Sequence, residues 1–115
     1  MKKVIIFLMA VGSLLTVSCE SNTYGEVSVV TNPTYRDNIG PLFTAKCTGC
    51  HKNGDQLPDL QTYDEVKDAI VNGNVICLID NPGECFFSGY MPPTGRMQQT
   101  TIDMVKLWKD QGFVN

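Results

Sequence analysis

The sequence contains a single histidine, and its nine basic residues are outnumbered by twelve acidic ones, which gives a net charge of −3 over 115 residues. The basic surface by which proteins bind nucleic acid is therefore absent, and nucleic acid is excluded as a partner. No internal repeat is visible. These absences leave a small acidic chain in which any chemistry that needs a histidine depends on one side chain.

The N-terminus has the form of an export signal. Lys2 and Lys3 precede an uncharged apolar run at residues 4–15, and small or polar residues follow it. The run is shorter than the roughly 20 residues of a membrane-spanning helix. This order is typical of a secretory signal and is not that of a buried core helix.

The end of the signal, LLTVSCES, resembles the lipobox of bacterial lipoproteins. Ser18 precedes Cys19 as in that motif, although Thr16 stands where leucine is usual. We therefore expect a lipoprotein signal peptide at residues 1–18 and lipidation of Cys19, the alternative being an ordinary signal peptide cut nearby. The protein is then exported to the periplasmic or cell-surface side and tethered to a membrane by its lipid.

The rest of the chain predicts a polar tether over residues 19–33 and one mostly α-helical domain over residues 34–115. A first helix is expected to begin at Thr34 and to bend or restart at Pro41, because proline lacks a backbone N–H. A last helix is expected to begin at Thr100 or Thr101, since apolar residues there recur at helical spacing before a glycine.

The clearest helix is predicted over residues 62–73. Thr62 and Glu65 form a capping box at its start, and Gly73 is a stop signal at its end. The following stretch, up to residue 95, is rich in glycine and proline and predicts a long loop.

Residues 45–54, AKCTGCHKNG, place the only histidine directly after the second of two cysteines. C-x-x-C-H is the attachment signature of c-type haem. On a helical turn Cys47, Cys50 and His51 stand at i, i+3 and i+4 and leave one face, so two thiols can bond the porphyrin edge while the imidazole meets the iron. Ile39 and Phe43 would form an apolar wall on the same face.

Other interpretations of the two thiols stay open at this point. A zinc site would need Cys77 and Cys85 as further ligands, although seven residues separate them, which is wider than usual. A thioredoxin-like dithiol would need a βαβ context that the sequence does not show. A haem-free lipoprotein with two disulfides is a third alternative.

The second axial ligand of a haem iron would be a methionine, because there is no second histidine. Met91 is favoured, since Pro92 and Pro93 stiffen the backbone beyond it and hold a flexible thioether in place. Met97 is the second candidate, and a methionine that only fills the core at position 91 is an alternative. Met104 lies inside the last predicted helix, where core packing is expected.

These features resemble small class I cytochromes c, particularly the single-haem domains of bacterial exported proteins. The resemblance covers residues 34–114 and rests, in order, on IGPLFTAKCTGCH, LPDLQTYDEVKDAI, YMPPTG and TIDMVKLWKDQGF. It implies a mostly α, cytochrome c-like fold of three to four helices and long loops wrapped around one covalently attached haem. The N- and C-terminal helices would cross, with Phe43 and Trp108 as contacts.

The resemblance also implies a set of site residues for one haem c. Cys47 and Cys50 would carry the thioether bonds, and His51 and Met91 would be the axial ligands. No residue is expected to act as a catalytic acid or base, so the implied protein is an electron carrier and not an enzyme.

Two features depart from the family pattern. Cys77 and Cys85 are additional cysteines, and in an oxidising compartment we interpret them as a disulfide that closes the loop between them, with two free buried thiols as the alternative. The acidic composition is the second departure, because the basic docking ring of some family members is not expected.

The expected function is therefore single-electron transfer between other exported redox proteins, with the membrane contacted through the lipid anchor. Two alternatives are a five-coordinate haem domain, for gas binding, sensing or peroxidase activity, and a haem subunit of a larger exported oxidoreductase.

Overall fold

A computed structural model describes residues 29–115 of the chain. The expected signal peptide, Cys19 and residues 19–28 of the tether lie outside the described residues. Between residues 29 and 115 every regular element is helical, so the mostly α prediction is confirmed. The elements are a π-helical turn at Tyr35–Ile39, α1 at Gly40–Lys46, α2 at Tyr63–Val71, α3 at Val75–Asp80, a 3₁₀ turn at Pro82–Cys85, and α4 at Gln99–Asp110.

The first helical segment begins where the sequence predicts. Thr34 caps it, because its side-chain oxygen accepts the N–H of Asp37 at 3.2 Å. The N–H of Gly40 reaches back to the carbonyl of Tyr35, which closes a π turn before α1 restarts with Pro41 in its first positions. Proline is tolerated there since its missing N–H has no intrahelical acceptor.

Helix α2 is held at its start by the predicted capping box. The N–H of Glu65 donates to Thr62 Oγ1 at 3.3 Å, and the N–H of Thr62 donates to Glu65 Oε2 at 3.0 Å. Both exchanges satisfy amides that a helix start would otherwise leave unpaired. Val66, Ala69 and Ile70 form the buried face of the helix.

The prediction of a loop over residues 72–95 is wrong in its first half. Helix α3 occupies Val75–Asp80 and buries Val75 and Ile79, which are four residues apart and therefore on one face. Gly73 precedes this helix and Pro82 follows it, so both lie outside the helix and do not prevent it from forming. The Sγ atoms of Cys77 and Cys85 lie 2.08 Å apart, so a disulfide joins α3 to the following 3₁₀ turn.

Helix α4 supplies the centre of the core. Its buried residues Ile102, Val105 and Trp108 are fully shielded from solvent, and it begins at Gln99, one residue earlier than predicted. Phe43 belongs to the same buried cluster. The rings that pair with Trp108 are those of Tyr35, Tyr63 and Phe113, with centroids 4.9 to 6.0 Å away.

Ordered packing begins before the expected domain start at residue 34. Pro33 is fully buried, and the carbonyl of Thr31 accepts the side-chain amide of Gln111 at 2.9 Å. The last part of the predicted tether therefore belongs to the folded domain. In the described part of the chain, no helix has the length and apolar character to cross a membrane.

Candidate functional site

A cavity of about 510 Å³ lies between α1, α2, α3 and the loop before α4. Its size falls in the range of roughly 300–1,000 Å³ that is usual for cavities holding a small molecule or cofactor. The residues predicted to act together all line it, namely Cys47, Cys50, His51, Met91 and Met97. The cavity therefore brings the C-x-x-C-H motif together with methionines that lie 40 or more residues later in the sequence.

The C-x-x-C-H motif forms a turn that directly follows α1. The carbonyl of Cys47 accepts two amides, that of Cys50 at 3.1 Å and that of His51 at 2.9 Å. These are i+3 and i+4 contacts, so the backbone makes one helical turn and presents both thiols and the imidazole toward the cavity.

The imidazole of His51 is held by two backbone carbonyls. Its Nδ1 lies 3.0 Å from the carbonyl oxygen of Gln56 and 3.0 Å from that of Pro58. Because a carbonyl oxygen only accepts hydrogen bonds, Nδ1 carries the proton, and the lone pair of the neutral ring is on Nε2. A ring oriented in this way is prepared to bind a metal through Nε2.

The loop that supplies those carbonyls is itself fixed by hydrogen bonds. Asn53 and Gly54 adopt positive φ angles of 53° and 76°. The amide of Gly54 donates to Asp59 Oδ1 at 2.9 Å, and the amide of Leu60 donates to the carbonyl of His51 at 3.0 Å. Sequence analysis did not single out this loop, although the Asn-Gly pair is a turn signal that could have marked it.

The two thiols are unpaired and differ in exposure. Cys47 is partly buried, and burial raises the pKa of its thiol to about 11, whereas Cys50 is exposed. A catalytic dithiol needs a lowered pKa so that a thiolate is present near neutral pH. The raised pKa of Cys47 thus disfavours the thioredoxin-like alternative.

The disulfide between Cys77 and Cys85 removes both residues as zinc ligands. Across residues 29–115, no group of three or more histidine, cysteine, aspartate or glutamate side chains is arranged to hold a metal ion. The thiols of Cys47 and Cys50 are not bonded to each other. The haem-free alternative predicts a second disulfide, which the structure does not have at these two residues.

Two of the three candidate methionines reach the cavity. Met91 and Met97 line it and are partly buried, whereas Met104 packs against the core, as expected. The amide of Met91 donates to the carbonyl of Leu78 in α3 at 3.0 Å. The loop segment with Met91 is therefore attached to the wall of the cavity.

The remaining cavity walls are largely apolar. Phe43, Leu60 and Ala69 are buried side chains that face it. Ile39, which the sequence placed on the same wall, is instead fully buried in the core. A haem needs apolar side chains against its ring and a nitrogen ligand for its iron. Phe43, Leu60 and Ala69 would supply the first and His51 the second, so the residues present suit a haem.

No family model, no curated protein and no solved structure matches this chain.

Proposed function

We propose that the protein is a single-electron carrier that holds one covalently bound haem c in this cavity. The observation that carries the proposal is the juxtaposition of the two free thiols, Cys47 and Cys50, with a His51 whose Nδ1 is already bonded to backbone carbonyls. Two thiols and one available imidazole nitrogen on a single turn are the donor set of c-type haem attachment.

Each proposed residue has a separate task. Cys47 and Cys50 would hold the group through thioether bonds, His51 Nε2 would bind the iron on one side, and Met91 would bind it on the other. When bound, the haem supplies an iron that alternates between the ferric and ferrous states. The protein's own part is to fix the ligands, to exclude water with apolar walls and to tune the potential.

The coarse architecture supports the same proposal. Helices α1, α2 and α3 and the long segments between the helices line the cavity on several sides, which is the arrangement expected of a class I cytochrome c-like domain. A filled distal position leaves the iron closed to exogenous ligands, which favours electron transfer over gas binding or peroxidase chemistry. The partners would be other exported redox proteins, with the membrane reached through lipid on Cys19.

The test is to export residues 20–115 in a host that has haem-attachment machinery. Haem staining on a denaturing gel reports covalent attachment, and the weak far-red band of the ferric protein reports methionine sulfur on iron. We expect both signals in the wild-type domain and neither in a Cys47→Ala/Cys50→Ala variant. The matched control is Cys77→Ala/Cys85→Ala, which removes the same number of sulfur atoms outside the cavity and should retain the stain.

Absence of covalent haem in the wild type would refute the proposal. Covalent haem without the far-red band, together with ready binding of carbon monoxide, would instead support the five-coordinate alternative.

A further inference from the structure

We infer that Arg96 is a positioning residue for the methionine ligand, because it fastens the loop that carries Met91 and Met97 to α3. The inference rests on the proposed function for the meaning of the ligand, but its structural part concerns only the protein's own contacts. Arg96 lies in that loop, after Met91 and directly before Met97, and α4 begins at Gln99.

The guanidinium of Arg96 donates two hydrogen bonds to Asp80, the last residue of α3. Nη2 donates to Asp80 Oδ1 at 2.8 Å, and Nε donates to the backbone carbonyl of Asp80 at 3.3 Å. The pair is about one-quarter to one-third exposed, at 23% for Asp80 and 33% for Arg96. A two-point contact by a planar guanidinium fixes direction as well as distance, which a lysine cannot reproduce.

The same guanidinium also contacts the residue before Met91 and a residue after Met97. Its carbon lies 5.8 Å from the ring centre of Tyr90, the residue directly before Met91. Nη2 donates further to the side chain of Gln99, the first residue of α4. Arg96 thus connects the segment before the methionines, the segment after them and the end of α3.

A second contact runs in parallel from the same helix. The amide of Met91 donates to the carbonyl of Leu78, two residues before Asp80. Of these two contacts, only the one through Arg96 depends on a side chain. Loss of that side chain would leave the Met91 amide as the remaining one of these two contacts with α3 and would let the thioether leave the cavity more often.

The chain offers a matched control. Lys106 of α4 donates to the other carboxylate oxygen of Asp80 and has a similar exposed fraction, 38%. Arg96→Gln and Lys106→Gln each remove one positive charge from the same carboxylate, but only the first detaches the methionine loop. The two variants therefore separate positioning of the ligand from an effect of charge or of general stability.

The first measurement is a titration of the ferric haem protein with imidazole, which competes with the methionine sulfur and abolishes the far-red band. Partly exposed ion pairs change equilibria by up to about 5-fold. We expect the apparent dissociation constant for imidazole to fall about 5-fold in Arg96→Gln and to stay unchanged in Lys106→Gln. Arg96→Lys, which keeps the charge but loses the second donor, should lie between wild type and Arg96→Gln.

The second measurement is hydrogen exchange of the Met91 amide, which does not require bound haem. Exchange should be about 5-fold faster in Arg96→Gln than in Lys106→Gln if the loop opens locally.

Equal effects of the two variants in both measurements would overturn the inference, as would the absence of any effect. A wild-type domain without covalent haem would refute the proposed function, and the exchange measurement would then decide by itself whether Arg96 fastens the loop. Covalent haem without the far-red band would overturn the assignment of the ligand.

Discussion

The hydroxyl group of Tyr63, at the start of α2, donates to the backbone carbonyl of Phe113 at 2.7 Å, across 50 positions of sequence. The ring of Phe113 in turn packs edge-on against Trp108 at 4.9 Å between centroids. This relationship holds the chain end over the indole and joins α2 to α4 through a residue that belongs to neither helix.

Substitution of Tyr63 by phenylalanine should lower the free energy of unfolding by about 1 kcal/mol, since it removes one partly buried hydrogen bond without removing the ring. Urea denaturation checks this. Tyr35→Phe is the matched control, because its hydroxyl lies 3.4 Å from its acceptor, the carbonyl of Gln61, and the ring belongs to the same aromatic cluster. If Tyr35→Phe lowers the free energy of unfolding as much as Tyr63→Phe does, the loss is not due to the short hydrogen bond of Tyr63.

If the protein holds haem c as we propose, replacement of Met91 by leucine should leave the haem covalently attached, abolish the far-red ferric band and permit carbon monoxide to bind the ferrous protein. Leucine fills a similar volume without a sulfur ligand. Met97→Leu, on the same cavity, is the control and should keep the band. If the results of the two variants are exchanged, Met97 is the distal ligand.

Much of this architecture follows from local sequence signals. The capping box at Thr62 and Glu65 and the apolar spacing of Ile102, Val105 and Trp108 are each contained within a few residues, so they specify α2 and α4 without knowledge of the fold. The position of the cavity's cysteines and histidine follows in the same way from their spacing on one turn.

What sequence analysis missed depends on contacts that are distant in the chain or on competing signals. Helix α3 was missed because its apolar residues lie between a glycine and a proline, whose signals outweighed the pairing of Val75 with Ile79. The contact of Asp80 with Arg96 spans 16 positions and has no local pattern. The sequence favoured Met91 over Met97 because two prolines follow Met91, and the structure places both side chains on the cavity.

Stability should depend on pH through Asp80. The pKa of its carboxyl lies below the usual value, chiefly because Lys106 donates a hydrogen bond to it, with a further bond from Arg96. A carboxyl with a lowered pKa in the folded state stabilises it above the unfolded-state pKa of about 4, and the benefit is lost as pH falls through the folded-state value.

We therefore expect the wild type to be more stable than Asp80→Asn at pH 6, with the difference narrowing as the pH falls below about 4. Urea midpoints measured from pH 2 to 7 provide the test. Parallel curves for the two proteins over that range would contradict the role of this carboxylate.

Reduction of the disulfide should lower the free energy of unfolding by about 2–3 kcal/mol, the value expected for a short closed loop. Cys77 and Cys85 are separated by eight positions. Denaturation with and without a reductant measures the effect, and a Cys77→Ser/Cys85→Ser variant should be insensitive to the reductant. Sensitivity of that variant would place the redox effect elsewhere in the protein.

Substitution of Gly73 by alanine should destabilise the domain by about 1–3 kcal/mol, because a Cβ there would lie 2.5 Å from the backbone carbonyl oxygen of Ala69. The control is Gly49→Ala, since a Cβ at Gly49 has no atom within 4 Å and should change stability by less than about 0.5 kcal/mol. Denaturant titrations measure both changes in the free energy of unfolding. A loss for Gly73→Ala as small as that for Gly49→Ala would mean that the turn after α2 relaxes to accept the methyl group.

The carbonyl of Val114 accepts both the amide of Tyr35 at 2.8 Å and the indole N–H of Trp108 at 2.7 Å. The two boundaries of the folded segment are thus neighbours in space, and a linker of a few residues is enough to join them. Such a domain can be circularly permuted, or inserted as a unit into a surface loop of another protein, while its two boundaries stay next to each other. The same adjacency means that a fusion partner at either boundary approaches the domain from one side.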